Sequence, residues 1–133
     1  MKNFEELAAF QRAVELMEEI YHSTELFPIH ERYGLVAQMR RASISVMSHI
    51  AEGQGRLSLG EWRQFLSQAR GSLYEVQAQA IASERLRYLI GDDYNRVRLA
   101  VKRVASPLRG LIRYVQGREK RAKEKRQPDN PTT

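Results

Sequence analysis

The sequence predicts an all-α protein, an antiparallel up-down-up-down four-helix bundle, on three observations. Apolar residues recur every three or four positions through four segments. No segment alternates with the period of two that a half-buried strand requires. The breaks between segments are short and marked by Pro28, Gly53 to Gly55 and Gly91, and short loops turn each helix back against the one before it.

Asn3 is placed to cap the first helix, with Glu6 at the capping-box position. Leu7, Phe10, Val14, Met17, Tyr21 and Thr24 step by 3, 4, 3, 4, 3 as a heptad-like seam. Pro28 stops this helix, because the residue before a proline avoids the helical region, and its expected span is Phe4 to Leu26. The second helix is expected from Glu31 to Ala51, with Gly34 a weak point in its first turn. Leu35, Met39, Ala42, Val46 and Ile50 fall within roughly 40° on a wheel of ~100° per residue, and Arg40 and Arg41 fall off that stripe. Gly53 then supplies the positive φ that a helix C-terminus favours.

Ser58 to Glu61 has the capping-box spacing that opens a third helix, expected from Leu59 to Leu89 and closed by Gly91. At ~1.5 Å per residue it is roughly 45 Å long. Its seam is Trp62, Leu66, Ala69, Leu73, Val76, Ala80 and Ser83, and the small residues in its middle allow a neighbour to approach closely. Asp92 or Asp93 caps a fourth helix, placing negative charge at its positive dipole end. Its seam, Val97, Val101, Val104, Leu108, Leu111 and Val115, contains Pro107 close by, which predicts a kink. Periodicity is lost from Gly117 onward. The expected organisation is therefore a bundle over residues 1–116 and a basic, disordered tail over residues 117–133.

With 133 residues the chain has the size of one domain, and 42% hydrophobic with 29% charged residues suits a soluble helical protein. No apolar run approaches the ~18 residues needed to span a bilayer, and the start lacks the apolar core of a signal peptide. The chain has no cysteine, so disulfides and thiolate metal sites are excluded. A cytoplasmic protein without membrane attachment is expected. Its charge is unevenly placed: residues 1–91 hold 10 Lys/Arg against 11 Asp/Glu, whereas residues 92–133 hold 12 against 5, a net +7. Such asymmetry points to an acidic partner, most commonly nucleic acid.

Catalytic patterns are weak. A di-iron bundle needs two Glu-x-x-His motifs; Glu19 to His22 is one, but Phe27 and Val46 stand three residues before His30 and His49. Ser45, His49 and Glu52 are stacked on one helix, whereas a working triad converges from separate elements onto an oxyanion hole. Gly53-Gln54-Gly55-Arg56 follows no strand and lacks the spacing of a phosphate-binding loop. No enzyme activity, metal or cofactor is expected. The basic residues say more. Arg98, Lys102, Arg109 and Arg113 cluster within about 60° of arc on the fourth helix, and Arg118, Lys120, Arg121, Lys123, Lys125 and Arg126 extend the run. A phosphate backbone binds such an arrangement by counterion release. Base stacking wants aromatics among the charges, and Tyr114 is the only one expected near them.

Several motifs together carry a family resemblance: Tyr33-Gly34-Leu35, Gln38-x-Arg40-Arg41-Ala42, Ser45, Ile50-Ala51-Glu52-Gly53, Arg56, Phe65-Leu66, Gly71-Ser72-Leu73-x-Glu75, Arg85-Leu86 and Tyr88. The chain resembles, over about residues 4–115, the four-helix-bundle proteins encoded in intervening sequences of bacterial 23S rRNA genes. Accessory variability proteins of diversity-generating retroelements are their relatives. His49 is a departure, standing where this family usually carries asparagine. The resemblance implies a bundle that assembles into a ring, with a homopentamer favoured. It also implies a non-enzymatic role involving RNA or DNA and, in the retroelement relatives, a reverse transcriptase. Leu59, Tyr74, Ile81, Tyr88 and Tyr94 fall partly off the seams, and such surplus apolar surface suits a subunit interface. Arg40 and Arg41 are candidates for intersubunit ion pairs or phosphate contacts. Two functions are expected of such a chain: a homo-oligomeric nucleic-acid-binding bundle, RNA favoured, or a scaffold docking a reverse transcriptase or other acidic partner.

Overall fold

The structure is a computed structural model, and it describes residues 3–126. Among these, four α-helices and no strand are present: α1 (Ala8–Thr24), α2 (Ala37–Gln54), α3 (Leu59–Arg85) and α4 (Gly91–Arg126). A 3₁₀ turn (Phe4–Glu6) precedes α1, and a 3₁₀ turn (Ile29–Glu31) with a π-helical turn (Arg32–Val36) leads into α2. α1 packs on α2 and α4, and α3 packs on α2 and α4, so the first and last helices close the bundle. None of the described helices is long and apolar enough to cross a membrane.

The seams expected for α3 and α4 form the core. Trp62, Leu66, Ala69, Leu73, Val76, Ala80 and Ser83 are all buried, as are Val97, Val101, Val104, Leu108 and Val115, with Leu111 half-buried beside them. α2 adds Met39, Ala42, Val46 and Ile50. α1 departs from the expected seam: Ala9, Ala13, Leu16, Ile20 and Thr24 are buried, while Phe10, Val14 and Met17 are half-buried and Tyr21 is exposed. The buried face runs through Ala9, Ala13, Leu16 and Ile20, and Phe10, Val14 and Met17 take its flanks.

Helix ends follow their chemistry in part. Ser58 caps α3, its hydroxyl accepting from the Glu61 backbone N–H at 3.1 Å. The Asn3 side chain makes no such bond, and Leu7 is extended (φ −70°, ψ 130°), separating the 3₁₀ turn from α1. Gly34 breaks the entry to α2 with non-helical angles (φ −105°, ψ −109°), so the helix expected from Glu31 begins instead at Ala37. Gly53 lies inside α2 rather than at a positive-φ stop, and Gly55 follows the last turn at φ −85°. α3 ends at Arg85, not Leu89. Arg87 takes the left-handed turn (φ 65°), and Gly91 (φ 57°) opens α4 rather than closing α3. Here Tyr88 packs against Phe27, with ring centroids 5.5 Å apart. Burial, and then the Glu31 carboxylate that bonds it, raise the Tyr88 phenol above its ordinary pKa.

α4 passes Pro107 without interruption and continues to Arg126, 36 residues in all. Residues 117–126, expected as the beginning of a disordered tail, are therefore helical. Arg, Glu, Lys and Ala are strong helix formers, and Glu119 ties the extension down, accepting from Arg63 Nε at 2.7 Å. A Cβ on Gly60 would lie 3.9 Å from Glu119 Oε2, so this carboxylate sits by the N-terminus of α3, where the helix dipole favours it. Residues 127–133 of the expected tail lie outside the described residues.

Candidate nucleic-acid interface

The α4 helix turns Arg98, Lys102, Arg109 and Arg113 onto one exposed face, beside α3. Arg109 and Arg113 border a cleft of about 300 Å³ between the two helices, together with Arg70, Leu73 and Tyr74 of α3. A smaller depression of about 110 Å³ continues it, bordered by Tyr94, Arg98 and Lys102. Gln77 and Val101 border both, so the two make one groove. Acidic partners are spent elsewhere: Glu15 and Glu19 on Arg103 and Arg96, Glu52 on Arg56, Glu75 on Arg41 and Glu119 on Arg63. Among the described residues no carboxylate forms an ion pair with Arg70, Arg98, Lys102, Arg109 or Arg113. The groove thus concentrates positive charge without internal neutralisation.

Four of its members were not assigned to this face by the sequence argument: Arg70, Tyr74 and Gln77 of α3, and Tyr94 of α4. Arg70 and Tyr74 come from a segment whose charges balance, and only the pairing of α3 with α4 brings them to the basic face. Their guanidinium and ring lie together, 5.6 Å from carbon to centroid; Arg98 and Tyr94 repeat the arrangement at 5.7 Å. The groove therefore has aromatics among its charges. Tyr114, the one the sequence put forward, stands instead against Trp62, with centroids 6.2 Å apart. The signal that could have found Arg70, Tyr74 and Gln77 is their common displacement to one side of the α3 seam.

The remaining candidates divide. Lys120 is exposed in phase with Lys102 on a wheel of ~100° per residue, whereas Arg118 is about 180° round from Arg109 and Arg121 about 140° round from Arg98. Arg118 lies over Tyr114, 5.8 Å from its centroid. These two residues do not extend the groove. Arg40 is committed within the chain: its Nε donates to Thr24 Oγ1 at 3.1 Å, Nη2 donates to the Tyr21 carbonyl at 3.3 Å, and the guanidinium lies 4.4 Å from the Tyr21 ring. It fastens the end of α1 to α2. Arg41 is exposed, 3.8 Å from Glu75.

The residues of the weaker catalytic patterns make other contacts. The Ser45 hydroxyl accepts from Ser72 at 3.0 Å, and Glu52 approaches Arg56 at 3.9 Å. The His49 ring faces Phe65, with centroids 5.9 Å apart, and its buried Nδ1 has no hydrogen-bond partner among the described residues. Glu19 is bonded by Ser23 at 2.7 Å and sits 3.6 Å from Arg96. Among the described residues no cluster of three or more metal-ligating side chains exists.

Fold and groove define a class: a small four-helix protein whose third and fourth helices present an unneutralised basic channel. The chain belongs to the family of the 23S rRNA-intervening sequence protein, which it matches over residues 5–110. The matched region includes Arg70, Tyr74, Arg98, Lys102 and Arg109 and stops short of Arg113 and the last turns of α4. No curated protein matches the sequence.

Proposed function

We propose that this protein is a non-enzymatic, homo-oligomeric bundle that binds nucleic acid, RNA in preference, through the phosphate backbone. The observation that carries the reading is the exposed row Arg98, Lys102, Arg109 and Arg113, joined by Arg70, with no carboxylate among the described residues paired to it. Phosphate contacts release condensed counterions, so affinity falls with salt at a slope of about −0.7 per contact for single strands. The helices run antiparallel in this reading. The order of cross-helix pairs supports it: Glu15 meets Arg103 and the later Glu19 meets the earlier Arg96. The cytoplasm, where such a polyanion is abundant, is its proposed place.

Self-association has its own support at the α1–α2 connection, where Leu26, Ile29 and Tyr33 are 96%, 87% and 89% exposed. Large apolar side chains so open and so close together mark an interaction surface. By contrast Leu59, Tyr88 and Tyr94 are half-buried against the core, leaving Tyr74 and Ile81 as the exposed surplus of α3. A ring, with a pentamer favoured by the resemblance, would repeat the basic groove and multiply a modest attraction through avidity. The second reading is a scaffold docking a reverse transcriptase or another acidic protein, as in the retroelement relatives. The apolar floor of the groove, Leu73 and Leu108 beneath the arginines, is the observation in its favour.

Titrating mixed-sequence RNA onto the protein in filter binding at two salt concentrations tests these readings. Affinity should drop steeply at the higher salt and vanish when Arg98, Lys102, Arg109 and Arg113 are all changed to Glu. Unchanged binding by that variant would overturn the face assignment. Sedimentation of the same samples should give an oligomer at micromolar concentration, and a monomer would overturn the ring.

A further inference from the structure

We infer that the α3–α4 groove seats an unpaired base of single-stranded RNA, its ring against Tyr74 and the apolar floor, its flanking phosphates held by Arg70, Arg109 and Arg113. The inference rests on the phosphate-binding reading above and adds strandedness to it.

A surface that met only a phosphate backbone would need cations on a polar, open face. This groove has a different section. Its floor is apolar, with Leu73 and Leu108 at 6% and 2% exposure, and Tyr74, 58% exposed, rises at its edge beside three guanidinium groups (Arg70, Arg109 and Arg113). The cleft of about 300 Å³ is at the small end of ligand-sized sites, room for a ring system rather than for a docked helix. Duplex RNA keeps its bases stacked inside and offers a protein only phosphates, sugars and a shallow groove, so it cannot fill an apolar recess. A single strand can, because its bases splay out and stack on aromatic rings while the backbone follows the charge.

The arrangement is also repeated. On α3 an arginine precedes a tyrosine by one helical turn (Arg70, Tyr74), and on α4 a tyrosine precedes an arginine by one turn (Tyr94, Arg98). In each pair the guanidinium lies over one face of the tyrosine ring, and the Gln77 side chain borders both depressions, where its amide can donate to or accept from a base edge. Two stations joined along one groove suit a strand laid along it, not a lone small anion.

The test compares, by fluorescence anisotropy at one salt concentration, a labelled single-stranded RNA and the same strand annealed to its complement. The unmodified protein should bind the single strand more tightly. Tyr74→Ala should weaken single-strand binding about fivefold or more, the usual loss on removing a stacking ring, and leave the duplex unchanged; Tyr74→Phe should retain the wild-type value. Tyr74 is exposed, and matching thermal melts of the three proteins establish that the fold is intact. Equal affinity for both RNA forms, or equal behaviour of Tyr74→Ala and the wild type toward the single strand, overturns the base-seating inference. If Arg109→Glu with Arg113→Glu then abolishes binding of both forms, the phosphate reading stands without it. Binding of an oligoglutamate peptide with no RNA bound in either form overturns both.

Discussion

Where α2 turns toward α3, a Cβ on Gly53 would stand 2.9 Å from Trp62 Cδ1 and 3.0 Å from Phe65 Cβ. Glycine is needed there for close approach, not for a dihedral angle, and sequence alone does not separate these two uses. Gly53→Ala should destabilise the protein by about 1–3 kcal/mol through overpacking, read as a lower urea midpoint at unchanged slope. Gly55→Ala, whose Cβ would meet only the Glu52 carbonyl at an ordinary 3.6 Å, should move that midpoint far less. Arg40 carries a related lesson. Its off-stripe position reads as surface, yet a long side chain can leave its own stripe and fasten a neighbouring helix terminus, which no spacing rule reveals.

Helices α3 and α4 were legible because their core seams keep unbroken three- and four-residue steps, with Trp, Leu and Val interleaved in α3 by Ala69, Ala80 and Ser83. α1 was not, because the expected seam follows Phe10, Val14 and Met17 whereas the buried face, Ala9, Ala13, Leu16 and Ile20, lies one residue to the side. The end of α4 runs past the expected boundary for another reason: from Gly117 onward its apolar stripe stops while its helix propensity does not. What keeps that segment on the body is the Arg63–Glu119 contact, with the glutamate side chain only 21% exposed. Glu119→Gln should loosen the last turns while leaving the core intact. Amide exchange of residues 117–126 should quicken several-fold, and exchange in α3 should be unaltered. Uniform acceleration through the whole molecule would contradict this local role.

At the scale of the molecule, the charge imbalance announced a basic face, but the groove exists only between helices distant in the chain. Arg70 and Tyr74 on one wall meet Arg109 and Arg113 on the other, and no one-dimensional pattern contains that meeting. The exposed apolar cluster at Leu26, Ile29 and Tyr33 was equally hidden, since turn residues are not read for burial.

The unneutralised row has an energetic side as well. Arg98 with Lys102, and Arg109 with Arg113, are like charges one turn apart on α4, a spacing that costs roughly 0.2–0.5 kcal/mol per pair. Counterions screen such repulsion within about a Debye length. Raising salt should therefore elevate the melting temperature of the free protein by scanning calorimetry while it weakens RNA binding; a fall in both would contradict this. Folding and ligation are linked through the same cations: the helix holds a mutual repulsion that a bound polyanion relieves, so occupancy tightens the very wall that provides the contact.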